Sequence, residues 1–567
     1  MDASFVFKTD RPWPNARLKR AAIVGHVTAH TARVWFRTST PGRFCLILWP
    51  ANASVNDTLH TTLRTVPFPA PDTLPGEVRR FPFHIEDYTD DTTRVIELAG
   101  LDPDTRYRYA LYGEDPLAPP VDGRPVGRIV LGQDRPYGFR TQPDAARPFC
   151  FSFYSCHMPY KEPVFGGTQV TGMNMWELLH DAMDRHDKDG ELAFSIAGGD
   201  QVYVDGVGTL DIWKYLNRVM YRKDGEIYPG VEEMVSWYRD IYRGYWGFPS
   251  LQRVLSRFPT YMIWDDHEIL DGWGSYVLDG GKDDQLDELF PDRKKRGLHK
   301  RHCRVLLRRM FEAATRVYLE YQHAHNPATP TGQYDYGFIH ANTAVYVLDG
   351  RGHRDFDRDR RRILGQAQLK RFGNWLTGLD RSRVRNLFVV SAVPVLHLRT
   401  AFANADDTVL ADLANLQDDL RDAWEHDAHK SERKALLKLL FDAAGDFQVS
   451  ILSGDVHISA AFRMVQRSSG RVIHQLTSSA ITYNKPRLLG WALAGGVPER
   501  GRSDDGYDFE RLALYTDTSF AMVRVDTDTD QISFRLYGEQ TLKHPDENQA
   551  RPLSHAIARI DLRFQSG

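Results

Sequence analysis

Four times this chain runs through buried-type residues and halts on side chains that bind cations or protons. "FSFYSCH" (151–157) ends at Cys156 and His157, and "FSIAGGDQVY" (194–203) at Asp200 and Tyr203. "YMIWDDHE" (261–268) ends at Asp265, Asp266, His267 and Glu268, and "VSILSGDVH" (449–457) at Asp455 and His457. Short apolar runs of this kind read as buried strands. In an open sheet with helical crossovers, the carboxyl ends of such strands meet at one crevice. Carboxylates gathered in a poorly hydrated crevice repel one another and take up protons unless cations compensate them. The pattern therefore predicts an α/β fold with metals at its strand ends. Strand alternation turns only one of Asp265 and Asp266 directly inward, and the residues alone do not choose which.

The rest of the chain divides at "TQPDAARPF" (141–149). Before it, short strands separated by Gly, Pro and Asp turns predict an all-β sandwich. In "HTARVWFR", Ala32, Val34 and Phe36 fall on one face and Thr31, Arg33 and Trp35 on the other, which predicts one wet side. Beyond the boundary, strands alternate with helical segments such as 174–186 and 418–441. The expected domains are residues 1–145, a fibronectin-type β-sandwich, and 146–567, with helical insertions and a closing C-terminal hairpin. The aromatic stretch 233–258 predicts two helices broken near Gly247-Phe248-Pro249, and its rings read as packing rather than a binding platform. The polar insertion 277–296 reads as a mobile loop.

Composition removes several classes. With 72 basic and 75 acidic residues, a net charge of -3 and a 42% hydrophobic fraction, the chain is neither wholly disordered nor advertised for duplex nucleic acid. No apolar stretch approaches the roughly 20 residues of a membrane span. The basic run 292–309 reads as a solvated helix face, and the four cysteines are too few for a disulfide scaffold. Acidic and polar residues at the start replace the basic flank and apolar run of a signal peptide. The expected location is cytoplasmic, or periplasmic or secreted if a leader has been removed. Nothing in the sequence sets an oligomeric state.

Residue chemistry then narrows the ions. Asp200 is a natural oxygen bridge between two metals, each of which can polarise a phosphoryl oxygen while one acidifies an attacking water. Thiolate and phenolate at Cys156 and Tyr203 favour a ferric or other transition ion, whereas carboxylates suit a harder ion such as calcium. His267 suits general acid chemistry near the leaving group. Arg351 or Arg354 matches phosphate geometry, and His157 is a further candidate donor to phosphate.

The ordered motifs Ser155-Cys156, Gly199-Asp200-x-x-Tyr203, Trp264-Asp265-Asp266-His267-Glu268 and Ser453-Gly454-Asp455-Val456-His457 resemble the alkaline phosphatase D family, the PhoD-like branch of the metallophosphoesterases. "LDGRG" (348–352), "LGQAQLKRFGNWL" (364–376), "SAVP" (391–394), Asp422-Ala423-Trp424 and "VGHVTAHTARVWFR" (24–37) extend the likeness over nearly the whole chain. The resemblance implies a metallophosphoesterase-like two-sheet sandwich flanked by helices, hydrolysing phosphomonoesters or phosphodiesters. It implies Fe3+ held by Cys156, Asp200 and Tyr203, with Ca2+ or another divalent ion on Asp265 or Asp266 and Asp455. In this reading Asp200 bridges, and His457 is a ligand or its close neighbour. Two departures stand out: the export leader common in the family is absent, and Asp271 occupies a position near the metals where many members carry an amide.

The implied reaction is direct attack by a metal-activated hydroxide, since no motif supplies an activated serine. Implied substrates are small phosphate esters, nucleotides or lipid diesters, and a nuclease acting on short strands is a narrower variant. The rival from another class is a non-catalytic, metal-stabilised binding protein.

Overall fold

The computed structural model describes residues 18–53, 68, 77–115, 117–121, 123–132, 137–161, 168–207, 211–276, 278, 285–354, 362–399, 403–404, 417–483, 495–538 and 558–563. A strand expected at 62–70 lies outside these residues apart from Phe68, as do residues 277 and 279–284 of the polar insertion.

The N-terminal strands form two antiparallel sheets. One orders Ala21–Val27, Thr31–Arg37 and Thr93–Ala99; the other joins Arg79–Ile85, Gly42–Pro50, Arg106–Glu114 and Gly127–Leu131, with Tyr137–Arg140 also on Arg106–Glu114. Val24, Val34 and Phe36 of the first sheet share a core with Leu46, Leu48 and Leu111 of the second. The expected wet face is corrected at Trp35, which is 0% exposed. Its indole N–H donates to the Glu320 carbonyl at 2.7 Å, and its ring lies 5.4 Å from Tyr321. The Lys300–Tyr321 helix covers that side. Local alternation carries no information about a helix arriving from so far along the chain.

Two larger sheets follow. The first orders Thr260–Ile263, Leu192–Gly198, Phe149–Tyr154, Ser519–Asp526, Gln531–Gly538 and Ala558–Arg563. Its first three strands run parallel, and the Ser519–Asp526/Gln531–Gly538 hairpin pairs antiparallel beside them. The second is eight-stranded and contains a parallel run of Thr343–Val347, Asn386–Val390, Gln448–Ser453 and Val472–Thr477. The sheets face each other: Phe151 meets Phe388 edge-on at 5.2 Å, and Val345, Val390 and Leu476 belong to the same core as Phe153. Helices Gly365–Thr377 and Lys430–Ala443 cover the outer face of the second sheet. Met173–Lys188 packs on the first. The result is a mixed α/β, sheet-rich sandwich flanked by helices.

The aromatic insertion forms helices Val231–Tyr245 and Pro249–Leu255, and Trp237, Tyr238, Tyr242, Tyr245 and Trp246 are buried packing groups. Proline at the first position of the second helix fixes its entry, because its missing N–H would have had no intrahelical partner there.

Candidate metal centre

The four strand ends meet. One candidate ligand atom from each of Asp200, Asp265, Asp266 and Asp455 lies within 4.8 Å of the others, and Cys156, Asp200 and His457 form an overlapping group of the same kind. The Cys156 sulfur is 3.4 Å from Asp200 Oδ2, and the Tyr203 hydroxyl is 3.5 Å from that oxygen and 3.1 Å from His457 Nε2. Cys156, Asp200 and Asp265 are fully buried, while Asp455 and His457 form the half-buried, open side.

Local backbone explains the convergence. Cys156, Asp200, Asp455 and His457 all adopt positive φ, between 53° and 61°, which turns each chain sharply as it leaves its strand. Such conformations cost about 1–3 kcal/mol per non-glycine residue and cluster at functional sites. Gly199 makes the close approach possible, since a Cβ there would lie 2.8 Å from that of Asp265. The loops are then stitched together: Cys156 N–H donates to Gly199 O at 3.2 Å, and His157 N–H to Asp200 O at 2.7 Å. Glu268 is the central tie, its carboxylate accepting from the N–H groups of Asp265 (2.8 Å), Gln201 (2.6 Å) and Asp200 (3.1 Å).

Both adjacent aspartates join the cluster, which corrects the expectation that alternation admits one. The strand ends at Ile263, and Asp266–Glu268 is already a 3-10 turn, so alternation no longer applies. Each keeps one oxygen open: Asp265 gives Oδ1 to the Arg351 Nε–H, and Asp266 Oδ2 accepts from Gly272 N–H at 2.7 Å. Asp200 Oδ1 and Asp265 Oδ2 are buried with no hydrogen-bond partner among the described residues, whereas Asp266 Oδ1, also buried without a hydrogen bond, lies 3.4 Å from Arg351 Nη2 in an ion pair. Orphaned carboxylate oxygens at this depth are the signature of a cation site rather than of a hydrogen-bonded core.

Electrostatics agree. Burial, together with the neighbouring carboxylates, pushes Asp200 and Asp455 well above the usual range, against the pull of His267 on Asp200 and of Arg351 on Asp455. Asp265 is pushed up to about 6 by burial against the pull of Arg351. Burial, with Asp200 nearby, also raises the Cys156 thiol and the Tyr203 phenol. Only Asp266 moves down, burial being outweighed by Arg351, His267 and the Gly272 N–H. Cations would reverse the penalty on every other member, and a set of sulfur, phenol, imidazole and carboxylate donors fits a transition ion beside a harder one.

Two expected substrate contacts are placed elsewhere. His157 is fully buried, its Nε2 3.0 Å from the Tyr245 carbonyl oxygen and its Nδ1 accepting the Trp176 indole N–H at 3.1 Å; both ring nitrogens serve packing. Arg351 is also fully buried, bound to Asp265 and Asp422 and donating to the Trp273 carbonyl at 2.8 Å, so it braces a carboxylate instead of reaching a substrate. Arg354 joins it on Asp422 at 2.6 Å, making this network internal rather than a surface one. His267 sits at the crevice, its Nδ1 2.8 and 3.0 Å from the two Asp205 oxygens and its ring 4.0 Å from that of Tyr203.

The sequence reading missed Asp205, Ser479 and Tyr483. Ser479 Oγ accepts from His457 N–H at 3.0 Å and lies 3.2 Å from the Cys156 sulfur, and Tyr483 stacks on His457 at 3.8 Å. Asp205 had a signal, five positions after Asp200 in the same loop; the other two follow a strand whose exit, Thr477-Ser478-Ser479, carries hydroxyls but no carboxylate, thiol or imidazole.

The sequence model of the PhoD-like phosphatase family matches residues 169–488. A solved structure of PhoD is similar at 14% identity and a TM-score of 0.57, covering 93% of this chain and 87% of that one. A purple acid phosphatase, PPD1 from yellow lupin (Lupinus luteus) seeds, is similar at 11% identity and a TM-score of 0.49, covering 93% of this chain and 73% of that one. Among curated proteins nothing matches.

Proposed function

The chain belongs to the PhoD-like phosphatase family, and from that premise we propose a residue-level account of its metal-dependent hydrolysis of phosphate esters. The chemistry itself follows from the family; the assignments are ours. Cys156, Tyr203 and Asp200 would hold Fe3+, with His457 as a ligand or close neighbour, and Asp265, Asp266 and Asp455, together with Asp200, would hold Ca2+. The observation that carries the reading is the buried carboxylate group in which Asp200 Oδ1 and Asp265 Oδ2 have no partner among the described residues, next to a thiol and a phenol. Such cations supply charge stabilisation for the phosphoryl oxygens and an acidified water.

The remaining work belongs to the protein. Glu268 holds the Asp200 and Asp265 loops in register through three backbone N–H groups. Arg351 neutralises the outer oxygen of Asp265, leaving the inner one for a metal. His267 stands where it can protonate the departing ester oxygen as the water oxygen bonds to phosphorus. Substrates are small phosphomonoesters or diesters, including nucleotide or lipid diesters. The N-terminal β-sandwich is of the fibronectin type, with the domain boundary near residue 145. No described helix is long and apolar enough to cross a membrane.

The test is a panel of phosphomonoesters and diesters assayed on metal-analysed protein beside Cys156→Ser. Loss of iron and activity with retained fold supports the assignment; unchanged iron removes Cys156 from it.

A further inference from the structure

We propose that Asp205 is a positioning residue for the reaction, fixing the ring of His267 so that one nitrogen faces the open rim of the crevice. The inference rests on the role given to His267 above. Both Asp205 oxygens lie on His267 Nδ1, at 2.8 and 3.0 Å. A carboxylate only accepts, so Nδ1 carries a hydrogen and Nε2 is the nitrogen left for chemistry. Nε2 points toward Asp271, 4.0 Å from its Oδ1, and the Asp271 side chain is 44% exposed. A ring nitrogen of His267 also comes within 4.8 Å of Asp200 and Asp266 oxygens, so the ring stands between the carboxylate group and the rim.

Asp205 is itself over-determined. Its side chain is 6% exposed, and its carboxylate also accepts the Asp271 N–H. Its backbone bridges to Asp211, while Val204 N–H donates to the His267 carbonyl at 3.0 Å and Ile212 N–H to Val204 O at 2.8 Å. The loop carrying Asp205 is thus pinned to the turn carrying His267 by main chain as well as side chain. Tyr203 lies over the imidazole at 4.0 Å and limits the plane of the ring, but stacking does not distinguish the ring from its flipped form. Asp205 supplies that distinction. The same oxygens hold the start of the loop that presents Asp271, so one buried carboxylate sets both sides of the rim.

The experiment measures kcat and KM for Asp205→Asn, Asp205→Glu, His267→Gln and the Asp205→Asn/His267→Gln double variant on esters of graded leaving-group basicity, with metal content and melting temperature recorded for each. Asp205→Asn is expected to lower kcat by about 100-fold for alkyl esters and by less than about 5-fold for nitrophenyl esters, with KM and metal content unchanged. Asp205→Glu restores part of the loss, and the double variant is no worse than His267→Gln. A loss equal across all leaving groups, a loss that follows metal content, or additive losses in the double variant overturns the positioning role. Should His267→Gln itself show no dependence on the leaving group, the role of His267 fails, an outcome separate from any result at Asp205.

Discussion

Arg351 donates from Nε to Asp265 and from Nη1 to Asp422 at 2.9 Å, and its Nη2 lies 2.7 Å from Asp422 and 3.4 Å from Asp266 as an ion pair, with no part of its side chain exposed. One cation is thereby shared among three carboxylates in the wall of the metal cluster. Burial works against the charge on Arg351, but Asp265, Asp422 and Asp266 hold its pKa above the ordinary value.

Arg351→Ala leaves Asp265 buried without its cationic partner and Asp422 with Arg354 alone, which costs about 3–5 kcal/mol. Thermal unfolding should register this as a large fall in melting temperature, and Arg351→Lys should recover only part, since an ammonium cannot reproduce the planar fork. A variant that melts like the parent but shows a raised KM for phosphate esters would return Arg351 to the substrate-clamp role.

How much of this was legible in sequence depends on how local each cause is. The strand ends at Cys156, Asp200, Asp265 and Asp455 could be read because an apolar run and its polar stop are adjacent residues. The pairing of Asp265 with Asp266 was misread because the strand stops three residues before Asp266, where periodicity has no more to say. Arg351 and His157 were read by residue type as phosphate donors; their partners Asp422, Tyr245 and Trp176 come from other parts of the chain, and only the fold brings them close. Trp35 was placed on a wet face for the same reason.

Asp271 offers a prediction about substrate charge. Its half-exposed carboxylate lies 4.0 Å from His267 Nε2, at the rim beside the carboxylate group. A monoester dianion meets more repulsion there than a diester monoanion, by about 1 kcal/mol for one extra charge in a well-hydrated site. Asp271→Asn should raise kcat/KM for monoesters about 5-fold relative to diesters at low salt, with the gap narrowing as salt is added. An unchanged ratio would show that Asp271 takes no part in discrimination.

Glu425 makes stability depend on pH. It is 3% exposed, accepts from the His397 and Leu398 N–H groups, and is pushed up to about 7 by burial despite those hydrogen bonds. Unfolded, it titrates near its ordinary value of 4.5. Between those two pH values the folded chain retains a proton that the unfolded chain has released, so this group subtracts stability as pH rises from 4.5 to about 7 and no further above it. Denaturant unfolding of Glu425→Gln beside the parent should shift in favour of the variant, by up to about 3 kcal/mol, between pH 5 and pH 8. An equal difference at both pH values contradicts the assignment.

Elemental analysis of folded protein, parent beside Asp200→Asn, reaches the root of the account. We expect the parent to retain a transition ion and a harder divalent ion through gel filtration, and the variant to keep its fold while losing both, because a neutral amide offers one oxygen where the carboxylate offers two and a negative charge. A parent that hydrolyses phosphate esters with no bound metal, or a variant whose metal content matches the parent's, would contradict it.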